Sequence, residues 1–184
     1  QGLCDILGVD CSATGMLDEW KAMAYHLDTL TEEVHIAMVG KYTDLSDAYL
    51  SVIKSLQHAA MAVDRKLIID WIEASHLEDG WDEEEHKSAW SSLRESDGIL
   101  VPGGFGDRGI EGKIKAANYA RTEGVPYLGI CLGLQIATIE FCRNVLGMTG
   151  ANSTEFEDNP EHAAVVFMPE ISKTHLGGTM RLGS

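Results

Sequence analysis

Pro126-Tyr127-Leu128-Gly129-Ile130-Cys131-Leu132-Gly133-Leu134-Gln135 joins a short apolar run to Gly-x-Cys-x-Gly and then to a helix-like run. Strand, sharp turn, helix is the pattern of a nucleophile elbow, in which the turn displays the reactive atom. The flanking glycines fit that reading, because a residue held in a strained turn needs neighbours without a crowding Cβ. A helix starting behind Cys131 presents free N–H groups and the positive end of its dipole, which favours a thiolate. Taken alone, the five-residue pattern also fits a small core cysteine.

Working outward, strand-like and helix-like segments alternate. Val34 to Val39 reads as a buried strand ending at Gly40, and Asp47 to Val63 as a helix with Ala48, Val52, Leu56, Ala59 and Val63 on one side. Lys66 to Ile72 reads as a strand, Glu83 to Arg94 as a polar helix, and Gly98 to Val101 as a strand stopped by Pro102-Gly103-Gly104. Glu111 to Thr122 is a helix, Tyr127 to Ile130 the strand before the elbow, Leu132 to Val145 the helix after it, and Ala164 to Met168 a further strand. Such alternation predicts an α/β fold with a mostly parallel central sheet and helices on both faces. In these sheets reactive groups collect at the carboxyl ends of strands. Gly40, Gly103-Gly104 and Cys131 all follow strand ends, so three loops are expected to converge at one edge. Ahead of the first strand, Met16 to Leu30 reads as an amphipathic helix, with Leu17, Trp20, Met23, Ala24 and Leu27 at three- and four-residue steps.

Composition narrows the function. The 184 residues suffice for one α/β domain with an appendage, and 45% hydrophobic content supports a core. A net charge of −15 argues against nonspecific nucleic-acid binding and against acidic membranes. The acidic runs Glu78 to Glu85 and Glu155 to Glu161 read as solvated loops. Cys4, Cys11, Cys131 and Cys142 form no Cys-x-x-Cys, and no His pair has zinc spacing, so neither a metal site nor a disulfide scaffold is expected. With no signal peptide and no apolar run of about 18 residues, the expectation is a soluble, cytoplasmic protein.

Pro102-Gly103-Gly104-Phe105-Gly106-Asp107-Arg108-Gly109 is the second informative loop. Its glycines let backbone approach a ligand. Its N–H groups and that of Leu132 suit an oxyanion hole for a tetrahedral intermediate on Cys131. Gly104-x-Gly106-x-x-Gly109 also matches a dinucleotide fingerprint, but Asp107 would repel a pyrophosphate and no acidic residue ends a following strand.

Several stretches then occur in order: Val39-Gly40-Lys41-Tyr42-Thr43, Asp47-Ala48-Tyr49, Val101 to Gly106, Arg108-Gly109, Glu111-Gly112-Lys113, Tyr127 to Gly133, Ala151-Asn152-Ser153-Thr154-Glu155-Phe156 and Leu176-Gly177-Gly178-Thr179-Met180-Arg181-Leu182-Gly183. From Val34 onward the chain resembles the glutaminase domains of the CTP synthase family, which are class I (triad) glutamine amidotransferases of flavodoxin-like architecture. The resemblance makes residues 1–33 a connector from a preceding synthetase domain and 34–184 the amidotransferase domain. It implies that Cys131 attacks the side-chain amide of L-glutamine, giving a thioester and ammonia. It implies an oxyanion hole at Gly104 and Leu132, and glutamine binding by Phe105, Gln135 and Glu155. For the whole enzyme it implies ATP-dependent amination of UTP to CTP, with Mg²⁺ and ATP in the synthetase domain, GTP as effector, and a homotetramer that forms filaments. It implies no cofactor in the amidotransferase domain itself.

The family's base and orienting acid come from a late His-x-Glu. The only His-x-Glu here, His76-Leu77-Glu78, precedes Cys131 and lies in the acidic stretch. The domain is therefore expected to be truncated at its C-terminus, and the fragment alone to turn over glutamine poorly. Two rival readings are a γ-glutamyl hydrolase-like enzyme with the same elbow and a non-catalytic regulatory or assembly module of the same fold.

Overall fold

A computed structural model describes residues 6–8, 15–41 and 46–167. The stretch from Leu176 to Gly183, His175, Cys4, Cys11 and the end of the last expected strand lie outside these residues. Helix α1 spans Gly15–Thr29, and strand β1 spans Glu33–Gly40. A 3₁₀ turn, Ser46–Tyr49, leads into α2 (Leu50–Ala62), and β2 follows at Lys66–Glu73. A second 3₁₀ turn, Ala74–Leu77, precedes α3 (Glu83–Glu95) and β3 (Gly98–Val101). Then come α4 (Ile110–Glu123), β4 (Tyr127–Gly129), α5 (Leu132–Asn144), β5 (Ala151–Ser153) and β6 (His162–Val165).

The central sheet has the order β2-β1-β3-β4. β1 pairs with β3 and β3 with β4 in parallel, in a register that sets Ala37 against Ile99 and Leu100 against Leu128. All four residues of β3 are buried, as expected of a strand covered on both faces. Alternate residues Ala37, Val39, Ile72, Ile99 and Val101 form one face, packed on Ala89 and Leu93 of α3 and Ala116 and Ala120 of α4. Met38 and Leu100, on the other face, are equally buried. A second cluster joins Ile110, Ile114 and Ala117 of α4 to Leu132, Ile136 and Ile139 of α5.

Contacts divide the chain into two units, residues 1–34 with 53–68, and residues 35–52 with 69–184. In the first unit His26 meets Asp64 at 2.7 Å and Arg65 meets Glu32 at 2.7 Å. The apolar positions of α1 stay exposed, Trp20 by 63% and Leu17 by 56%. The α2 face also differs from the expected one. Val63 is exposed, and Ala60 is the buried residue, in line with half-buried Val52 and Leu56 at four-residue steps.

Two further expectations are corrected. The last strand starts at His162 and ends at Val165, and it pairs with β5 in a separate two-stranded parallel sheet. Ala151-Asn152-Ser153 is too short and polar to show strand periodicity, yet Ala151 and Ser153 are buried. The run Glu78 to Glu85 is exposed from Asp79 onward, but it is a loop only as far as Asp82 and its acids have structural partners. Asp82 caps α3 by accepting from the N–H groups of Glu84 and Glu85, and Glu83 to Glu85 occupy the first turn, where negative charge is favourable. Glu78 accepts from Gly112 N–H at 3.3 Å, and Asp79 pairs with Lys115.

Candidate active site

Cys131 stands between β4 and α5 with φ 53° and ψ −104°, a conformation that a side chain with a Cβ rarely adopts. The surrounding bonds hold it there. Ile130 N–H extends the sheet register to Val101 O at 3.0 Å, and Gly133 N–H turns back to Ile130 O at 3.0 Å. Leu134 and Gln135 N–H groups donate to Cys131 O at 3.1 and 3.2 Å. The Tyr127 hydroxyl donates to Gly133 O at 2.8 Å, clamping the first turn of α5 to β4. Burial first, and the nearby Glu140 carboxylate second, push the Tyr127 pKa upward, so it stays a neutral donor.

Two glycines make the turn possible by close approach. A Cβ on Gly129 would lie 2.4 Å from the Gly133 carbonyl carbon, and one on Gly133 would lie 2.1 Å from Val101 O. The elbow can close only where those positions lack side chains. The thiol itself is free, and its residue is exposed.

The glycine loop after β3 lies against the elbow. A Cβ on Gly103 would sit 3.4 Å from Cys131 Cβ and 4.0 Å from its Sγ, and one on Gly104 3.7 Å from Leu132 Cδ2. Leu132 is buried by its side chain, but as the first residue of α5 its N–H has no carbonyl partner within the helix. Gln135 is half-buried in the first turn of α5, and Phe105 is 54% exposed at the loop tip. Thus the structure brings Cys131, Leu132, Gly103 and Gly104 together, with Gln135 one turn behind. Glu155 lies elsewhere in the chain, in the turn after β5. Its N–H donates to the buried Ser153 hydroxyl at 3.1 Å, and its side chain is exposed.

The third loop, after β1, contributes a residue to which the sequence reading gave no role. Lys41 is 9% exposed, and its ammonium donates to Phe105 O at 2.8 Å. Its own carbonyl accepts from Tyr49 Oη. Lys41, Tyr49, Gly40, Pro102 and the glycine loop line a cavity of about 50 Å³, together with Lys113 of α4. Lys113 is 2% exposed. The signal for Lys113 was in the sequence, since Ile110, Lys113, Ile114 and Ala117 follow the three- and four-residue steps of one buried helix arc.

Burial, and next the charge of Lys41, push the Lys113 pKa down to about 8 against the pull of Glu73 and Glu78, while Arg108 adds to the depression. The unfolded chain, with an ordinary value of 10.5, then holds this proton more tightly than the folded one. Stability attributable to Lys113 therefore rises as pH climbs from about 8 to 10.5 and is lost below 8. Lys113→Met is expected to raise stability at pH 7 by at most roughly 3 kcal/mol, with the difference narrowing at pH 10. Urea unfolding of both proteins at the two pH values checks this; a difference independent of pH contradicts it.

Arg108 pairs with Glu73 at 3.0 Å and is thereby turned toward the end of β2. His76 stacks on Trp81, and its ring nitrogen is 3.7 Å from Glu85. His26 and His35 bind Asp64 and Asp70, and His86 binds the His76 carbonyl. Among the described residues, no group of acidic, His and Cys side chains is arranged to hold a metal ion. Nor is any described helix long and apolar enough to cross a membrane.

Residues 44–184 match the family described as glutamine amidotransferase class-I. The chain belongs to that family. Its curated relatives include CTP synthase of Dictyostelium discoideum, 62% identical over 171 residues, which covers 90% of this chain and 30% of the relative. CTP synthase 1 of Homo sapiens is 52% identical over 171 residues, covering 91% of this chain and 29% of the relative. The chain thus spans less than a third of the length of these relatives. Among solved structures, the Trypanosoma brucei CTPS glutaminase domain with bound acivicin matches with a TM-score of 0.69 and 41% identity, over 77% of this chain and 53% of that one. This amidotransferase therefore has the parallel α/β architecture that the sequence predicted.

Proposed function

We propose that this domain hydrolyses L-glutamine through Cys131 and that, in the complete protein, the ammonia aminates UTP to CTP at the expense of ATP. The observation that carries the reading is the placement of an exposed cysteine at positive φ, on a helix start and against a glycine loop, in a class-I amidotransferase chain. The similarity to CTP synthases and to a glutaminase domain that holds acivicin, a glutamine analogue, selects the substrate.

In this reading the Cys131 sulfur forms a bond to the amide carbon of glutamine, and the carbonyl electrons move onto oxygen. The N–H groups of Gly104 and Leu132 receive that oxyanion. Collapse of the intermediate breaks the C–N bond, ammonia leaves with an added proton, and water hydrolyses the thioester to glutamate and free thiol. Phe105, Gln135 and Glu155 hold the substrate, with the Glu155 carboxylate suited to the glutamine ammonium. The proton transfers need a base, and no described histidine is hydrogen-bonded to Cys131. ATP, Mg²⁺ and UTP belong to a synthetase part of a homotetrameric enzyme in this proposal, with GTP as effector.

Release of glutamate and ammonia from glutamine, and of CTP when UTP, ATP and Mg²⁺ are added to the complete protein, tests the proposal. Preference for a γ-glutamyl peptide over glutamine would replace it with a γ-glutamyl hydrolase.

A further inference from the structure

We infer that Lys41 is a positioning residue of the thiol site: its ammonium holds the Phe105 carbonyl inward and so fixes the glycine loop beside Gly104, the proposed oxyanion donor. The inference rests on the glutaminase reading for its kinetic consequence, but its structural part stands on geometry alone. Lys41 follows the end of β1, and its side chain is buried beneath the loop, with Nζ 2.8 Å from Phe105 O. No cis peptide is present among the described residues. In a trans peptide the carbonyl of one residue and the N–H of the next point in opposite directions. Anchoring Phe105 O toward Lys41 therefore turns Gly106 N–H the other way.

Gly106 makes this orientation accessible. Its φ of 78° lies in the region that glycine adopts without strain, and the place of its missing Cβ is 3.6 Å from Lys41 Nζ. Without the ammonium the same peptide is free to flip. A flipped peptide would re-aim the backbone next to Gly104, whose N–H is proposed to receive the oxyanion, and so misplace that donor. The Tyr49 hydroxyl, bonded to Lys41 O, fixes the backbone from which the side chain reaches. Lys113 lines the same cavity and is buried, so the loop has cationic groups beneath it and no carboxylate among the cavity's lining residues.

The test compares wild-type protein with Lys41→Met and Lys41→Ala in four measurements. In Lys41→Met, kcat for glutamine hydrolysis should fall by between about 10- and 100-fold, with KM changed less than threefold, as expected when donors are misplaced by about an ångström. Alkylation of Cys131 by iodoacetamide, which develops no oxyanion, should change less than twofold. Ethylammonium should restore part of the kcat of Lys41→Ala and leave wild type unaffected. Hydrogen exchange in the peptide containing residues 103–109 should be faster in Lys41→Met. Unchanged kcat, or equal losses in kcat and alkylation, would overturn the positioning role. If wild type fails to hydrolyse glutamine, the functional reading falls; unchanged exchange in the loop would then still overturn the inference, and faster exchange would uphold its structural part.

Discussion

Cys131→Ala is expected to abolish glutamine hydrolysis, lowering the rate by roughly four orders of magnitude or more. Loss of the nucleophile removes the covalent route, and the remaining donors alone supply only a small part of the acceleration. Folding should survive. The residue is exposed, its thiol has no hydrogen-bond partner among the described residues, and alanine keeps the same Cβ in the same backbone conformation. A melting temperature within a few degrees of wild type, with no ammonia release and no thioester mass, is the predicted result. Retention of a tenth of the activity would remove Cys131 from the mechanism.

The second large effect is on stability. Gly133→Ala places a methyl group where Val101 O would be 2.1 Å away, with Val101 Cβ at 3.1 Å. Both obstacles belong to β3, whose residues are buried throughout, so neither can yield as a flexible side chain would. Relief requires α5 to move off the sheet, which breaks the Tyr127 bond to Gly133 O and spreads the elbow. The expected cost exceeds about 3 kcal/mol, at the upper end for overpacking. Gly104→Ala is the informative control. Its nearest neighbour would be Leu132 Cδ2 at an ordinary 3.7 Å, so its stability should stay within about 1 kcal/mol of wild type. Denaturant midpoints separate the two; equal costs would contradict the close approach described for Gly133.

The elbow was legible because its chemistry is written in local glycine spacing. Gly129 and Gly133 flank Cys131 at the two positions where backbones meet, and no other residue type fits there. The order of strands and helices was likewise legible, since aliphatic runs such as Ile99-Leu100-Val101 end abruptly at glycine or proline. Less readable was anything set by contacts distant in sequence. Lys41 and Phe105 are 64 residues apart, and only the parallel register of β1 with β3 brings their loops together. Glu78 and Asp82 looked like surface charge, because capping and pairing with Gly112 depend on where α3 and α4 lie. β5 was missed because three residues carry too little periodicity, and its burial depends on its neighbours. Arg143, bonded to Ala151 O at 2.7 Å and to Glu111, is one of those neighbours.

Labelling shows most directly whether Cys131 is the nucleophile of a glutamine site. The protein is treated with acivicin in the presence and absence of excess glutamine, digested, and the adduct located by mass spectrometry. One adduct is expected, on the peptide containing Cys131, formed more slowly when glutamine is present. An adduct on another residue such as Cys142, no adduct in folded protein, or labelling indifferent to glutamine would contradict it.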